Sequence, residues 1–146
     1  MLTVQEIYQN NSFLQEVIEN ISVNPLLSYK IGSSNALMYA MLLQLDKLYD
    51  KCGKLNSNGE FVCSYGKINK LSGLKRGAIQ TSIKCLTELH LIECRVDSTN
   101  KSNVKTTHFK INRDSVVLDN LISEAYKELT GYEAIRLKRR NISDDF

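Results

Sequence analysis

The residues best suited to chemistry lie between Ser64 and Lys105, and the chemistry they suit is non-covalent. Lys75, Arg76, Gln80, Thr81 and Lys84 recur about one helical turn apart in a segment of helical periodicity. Arg and Gln each present two hydrogen-bonding groups that match one nucleobase edge, while Lys and Thr suit phosphate oxygens. Ser64 and Lys67 precede this set, and Lys101, Asn103 and Lys105 follow it in a polar loop; all are types that contact a phosphate backbone. A solvated helix face and a flexible polar loop have the same composition, so the meaning of these residues depends on the elements that carry them.

Covalent and metal chemistry finds less support. The chain has no phosphate-cradling glycine loop, no H-E-x-x-H helix and no Ser, His and Asp set whose spacing would assemble a nucleophile, so we expect no enzyme and no cofactor. Cys52, Cys63, Cys85 and Cys94 include no C-x-x-C pair, and only His90 and His108 are available to supplement them. The expectation is that there is no metal site and that the cysteines are reduced, buried thiols acting as small hydrophobes.

At 146 residues, 42% hydrophobic and 24% charged, the sequence has the balance of a globular domain with terminal extensions. It lacks an apolar run long enough to span a bilayer, and the stretch MLTVQEIYQNN has no signal-peptide pattern, so a cytoplasmic location without membrane contact is expected. The net charge is +3, unevenly placed: from Glu60 to Arg113 ten Lys or Arg stand against four acids, so this segment is basic and the remainder slightly acidic. Such segregation suits a polyanionic partner, although a solvated surface would also accommodate it.

Taken in order, Thr3 and Glu6 have capping-box spacing before a short helix from Val4 to Asn10, and a second helix is expected from Phe13 to Ile21. Pro25 reads as a break, with Ser33 or Ser34 capping a helix from Asn35 to Lys51 that buries Leu37, Met38, Met41, Leu42, Leu45 and Leu48. A turn at Asn58-Gly59 leads to a short strand, Phe61 to Cys63. Ser64 then caps a helix burying Ile68 and Leu71, Gly73 makes the turn, and Lys75 to Leu89 forms a helix burying Ile79, Ile83, Leu86 and Leu89. At 100° per residue, Arg76, Gln80, Lys84 and Thr87 fall opposite that apolar side, with Gly77 and Thr81 beside them. Ile92, Cys94 and Val96, then Thr107, Phe109 and Ile111, alternate with polar residues as two strands of a hairpin. A helix from Asp114, with Val117, Leu118, Leu121, Ile122, Ala125 and Leu129 on its apolar side, is expected to close at Gly131 before the basic patch Arg136, Lys138, Arg139 and Arg140.

This order predicts a mainly α fold with a small antiparallel sheet, a winged helix-turn-helix with extra N- and C-terminal helices. The boundaries expected are an N-terminal helical extension at 1–32, the winged domain at 33–113, and a C-terminal helix with basic tail at 114–146. The segment from Ser64 to Ile92 resembles the winged helix-turn-helix domain of bacterial regulators. More narrowly, the run YKIGSSNALMYAMLLQLDKLYDKCGKLNSNGEFVCSYGKINKLSGLKRGAIQTSIKCLTELHLIE is similar to the N-terminal domains of Gram-positive plasmid replication initiators and phage replisome organisers. The match rests on an Ala-Leu-rich helix, a Gly-Glu turn into a short strand, and a Leu-x-x-Leu-x-Leu-Ile ending. Two positions depart from the pattern: His90 stands where Gly is usual, and Lys75 where Ser or Thr usually caps the second helix.

The resemblance implies sequence-specific binding to double-stranded DNA by a protein of a plasmid or phage, in replication initiation or its control. Lys75, Arg76, Gln80, Thr81 and Lys84 would form the recognition helix, with Ser64, Lys67, Lys101, Asn103 and Lys105 on phosphates and wing. A homodimer is expected, because dimers read paired half-sites and the terminal segments carry more apolar face than a three-helix core requires. A host replication protein is a possible partner. Transcription regulation by the same fold, or a winged helix used as a protein-interaction module, remain open alternatives.

Overall fold

A computed structural model of the protein describes residues 17, 19–97 and 105–143, with side chains in the last helix described as far as 131. Its elements are α1 (Pro25–Ile31), α2 (Ser33–Lys51), β1 (Phe61–Val62), α3 (Tyr65–Ser72), α4 (Arg76–Glu88), β2 (Ile92–Asp97), β3 (Thr106–Ile111) and α5 (Val116–Ser143). The fold is α+β: helices plus a three-stranded antiparallel sheet in the order β1-β3-β2. From α2 to β3 the order and pairing are those of a winged helix-turn-helix.

Helix α2 is the central support. Met38, Met41, Leu42, Leu45 and Leu48 recur three and four residues apart and are buried, as the periodicity predicts, while Leu37 is half-buried. Against them pack Ile68 of α3, Ile79 and Leu86 of α4, and Phe61, Ile92, Phe109 and Ile111 of the sheet. The hairpin register pairs Ile92 with Ile111 and Cys94 with Phe109, and β1 pairs Phe61 with Phe109. One face of the pleat therefore meets the helices, although Val96, at the far end of the edge strand β2, is 54% exposed while Thr107, opposite it on the central strand, is buried. The Phe61 and Phe109 rings lie 6.0 Å apart, and Tyr49 stacks on Phe61 at 5.4 Å.

Pro25 begins a helix instead of breaking one. It stands in the first turn of α1, where its missing N–H costs nothing, and Asn24 Oδ1 accepts from the amides of Leu26 and Leu27 at 2.9 and 3.3 Å. Neither Ser33 nor Ser34 caps α2, because the helix already includes both and Gly32, at φ 94°, makes the junction from α1. Gly131 does not stop α5, which continues to Ser143. An exposed helical glycine costs only about 1 kcal/mol, and the flanking Leu, Ala, Lys and Arg residues favour continuation. The helix expected from Val4 to Asn10 lies outside the described residues. Of the second expected helix, Val17, Glu19 and Asn20 are helical, and Val17 is fully buried.

Helices α1 and α5 pack on each other, with Ala125 buried and Val117, Leu118, Leu121, Ile122 and Leu129 half-buried. Lys30 of α1 bridges Glu128 and Glu124 of α5 at 2.7 and 3.2 Å. Where β3 hands over to α5, Arg113 donates to the buried carboxylate of Asp46 on α2 at 3.1 Å and reaches Asp50 at 3.4 Å. The pair fixes the exit of the sheet against the central helix. No helix among the described residues is long and apolar enough to cross a membrane.

Candidate nucleic-acid interface

Helix α3 begins at Ser64, whose extended backbone and Oγ, accepting from the Lys67 amide at 3.1 Å, cap its first turn. It ends at Gly73, which takes the left-handed conformation at φ 75°. Ser72 Oγ accepts from the Leu74 amide at 3.1 Å, and Asn69 Nδ2 donates to the Leu74 carbonyl at 2.9 Å, holding the turn between the helices. Leu74 is half-buried against the core. The angle between α3 and α4 is thus set by local hydrogen bonds as well as by Ile68 and Ile79 beneath.

The phase of α4 follows the sequence. Ile79 and Leu86 are buried, and Ile83 and Leu89 half-buried. Arg76, Gly77, Gln80, Thr81, Lys84 and Thr87 are all exposed on the opposite side. Lys75 is exposed as the residue before the helix, where it occupies the cap position without a side-chain cap bond. Helical periodicity does not single out Ser82, only 1% exposed: its small side chain fits between Ile79 and Leu86 where a larger residue would lift the helix. Thr81 Oγ1 donates to the Gly77 carbonyl at 2.9 Å, which leaves its methyl and the oxygen's acceptor side outward.

Tyr65, which sequence reasoning passed over, lies half-buried at the start of α3 with the Arg76 guanidinium over its ring, 5.9 Å from the centroid. Burial raises its phenol above the ordinary range, with Cys94 adding to the rise and Arg76 opposing it. A groove of about 350 Å³ runs here, lined by Tyr65, Gly66, Asn69, Lys75, Arg76 and Ile79.

The other expected contacts divide. Ser64 is exposed, but its oxygen is used in the helix cap. Lys67 is half-buried, and its ammonium donates to the Tyr49 hydroxyl at 3.1 Å and lies over that ring at 5.6 Å. Lys105 is exposed at the foot of β3, while Lys101 and Asn103 lie outside the described residues, as do the side chains of Arg136, Lys138, Arg139 and Arg140. The outer face of the sheet is a mixed ionic surface. Arg95 donates to Glu60 at 2.9 Å and lies 3.6 Å from Asp97; the Arg95 bond, with help from Asn56, holds the Glu60 carboxyl down at about 2.

The cysteines do not behave alike. Cys63 is buried, which pushes its thiol up to about 11, and Cys85 and Cys94 are half-buried, whereas Cys52 is exposed at the end of α2. The expectation of four buried thiols fails at Cys52, because the helix ends there and the chain turns out into the loop. Among the described residues no group of three or more His, Cys, Asp or Glu is placed to hold a metal ion.

No known family model and no curated protein matches the sequence. A solved structure described as the N-terminal domain of a DNA binding protein is similar in fold, with a TM-score of 0.55 at 19% identity over 88% of this chain and 93% of that one. At that identity the likeness concerns the fold.

Proposed function

We propose that this chain is a sequence-specific double-stranded DNA-binding protein of a plasmid or phage, acting in replication initiation or its control. The observation that carries the reading is the outward face of α4, where Arg76, Gln80, Thr81 and Lys84 stand together and exposed while the opposite side is locked into the core. A helix so presented enters a major groove, and Arg and Gln at its first turns can read base edges there. The basic balance of the 60–113 segment supplies the long-range attraction to a polyanion. The similarly folded solved domain, named for a DNA binding protein, supports the same class of partner.

In this reading residues 33–113 form the DNA-binding unit, with 1–32 and 114–146 as flanking extensions that serve a homodimer. The protein acts in the cytoplasm, is not an enzyme, and leaves strand opening to a host replication protein. The test is a gel-shift titration of the full chain on duplexes selected from a random pool. Replacing Arg76, Gln80 and Lys84 together by Ala is expected to weaken binding to the selected site by about 100-fold or more, with the circular dichroism and melting temperature of the parent retained. Unchanged affinity in the triple variant would remove the recognition role from α4. Direct repeats of the selected site within or beside the coding sequence would favour replication initiation, and a site overlapping a promoter would favour transcription regulation.

A further inference from the structure

Arg76 is the first residue of α4, an exposed position from which a long side chain can adopt many rotamers. Fixing such a chain costs side-chain entropy, and that cost falls on binding unless the free protein has already met it. The structure places a partner there. Tyr65 stands on the neighbouring helix α3, half-buried against the core, and the Arg76 guanidinium lies over its ring at 5.9 Å. The ring is itself held, because it is half-buried against the core on a helix whose start is capped by Ser64. Arginine's flat cation is suited to such a face, and stacking leaves its in-plane N–H groups free to donate.

Resting on the DNA-binding reading above, we infer that Tyr65 is a positioning residue: its ring holds the Arg76 guanidinium so that the free N–H pair reads a guanine in the major groove. Tyr65 itself makes no base contact. The groove lined by Tyr65, Gly66, Asn69, Lys75 and Ile79 is open beside the guanidinium, so a base edge can reach it there. Arg76 thus has one preferred direction before DNA arrives, and sequence discrimination at one base pair becomes a property of two residues, one of which never touches the DNA.

The test uses the full chain and the duplex it selects, with each G·C pair replaced in turn. For the parent, one replacement should reduce affinity about tenfold or more, and Arg76→Ala should erase that sensitivity. Tyr65→Phe keeps the ring and should keep the ratio. Tyr65→Leu keeps apolar burial without the ring and should shrink the ratio about three- to fivefold, yet should have no further effect on it in the Arg76→Ala background. In the free protein the ring current should shift the Arg76 side-chain resonances upfield in the parent and in Tyr65→Phe. Absence of that shift in the parent overturns the inference whether or not Tyr65→Leu folds. So does an unchanged ratio in a folded Tyr65→Leu, or a Phe variant that behaves like Leu. Failure of the parent to bind any duplex overturns both this inference and the function on which it rests, whereas duplex binding with an unchanged ratio overturns this one alone.

Discussion

The two ends of α4 are built differently. At its C-terminal end α4 is closed by backbone bonds: the Leu91 amide donates to the Leu86 carbonyl at 3.0 Å and the His90 amide to that of Thr87 at 3.0 Å, the paired bonds of a Schellman closure. Leu86 and Leu91 are both buried, and Asn112 clamps the turn by donating its side chain to the His90 carbonyl at 2.8 Å and its backbone amide to that of Leu91 at 3.0 Å. At the N-terminal end Lys75 provides no side-chain cap, the first turn holds no acid, and Arg76 adds a further positive charge to the positive pole of the helix. Helix α3, one turn earlier in the chain, has the cap that α4 lacks. The comparison teaches that local stabilisation is concentrated where the helix meets the core and is withheld where its amides and cations face outward, which is the arrangement that favours an anion at that end.

Substitutions at each end should break or sharpen this contrast. The largest effect is expected at the closed end, where Leu86→Ala removes a fully buried side chain and should lower the unfolding free energy by about 2–5 kcal/mol in urea denaturation; a loss below about 1 kcal/mol would show that the closure is not tied to the core. His90→Gly acts at the same end with opposite sign. His90 holds φ 62°, a conformation that opposes a Cβ, so glycine should raise stability by about 0.5–1 kcal/mol, visible as a higher denaturation midpoint with unchanged slope. The smallest change in stability is expected at the open end: Lys75→Ser supplies the missing cap, should add about 0.5 kcal/mol, and should at the same time weaken binding to duplex DNA. A stabilised Lys75→Ser that binds DNA as well as the parent would mean that the bare end serves no ligand.

Much of this helix could be read from residue order. Four apolar residues at spacings of four, three and three fix its phase, and the exposed face follows by subtraction; even the positive φ of His90 and the absent cap at Lys75 are legible as departures from a pattern. What remained hidden depends on partners distant in sequence. Tyr65 and Arg76 lie on different helices, and no periodicity relates them. Asp46 reads as one more polar residue of α2 until Arg113, 67 positions away, turns out to be its counterion. Pro25 and Gly131 were misleading for a related reason. Proline both ends helices and starts them, and only the Asn24 side chain distinguishes the two cases; glycine stops a helix only when it turns left-handed, which Gly131 does not.

The closure at His90 also limits how this domain can change. Strand β2 begins at Ile92, directly after the turn, and its side chains alternate between the core and the outer face. One residue inserted between Leu89 and Ile92 would turn the strand over, driving Glu93 and Arg95 inward and Ile92 and Cys94 into water. The exposed His90 side chain can be exchanged at modest cost, but the length of the turn cannot change, so natural variation here is expected to replace that residue and never to add or remove a single one.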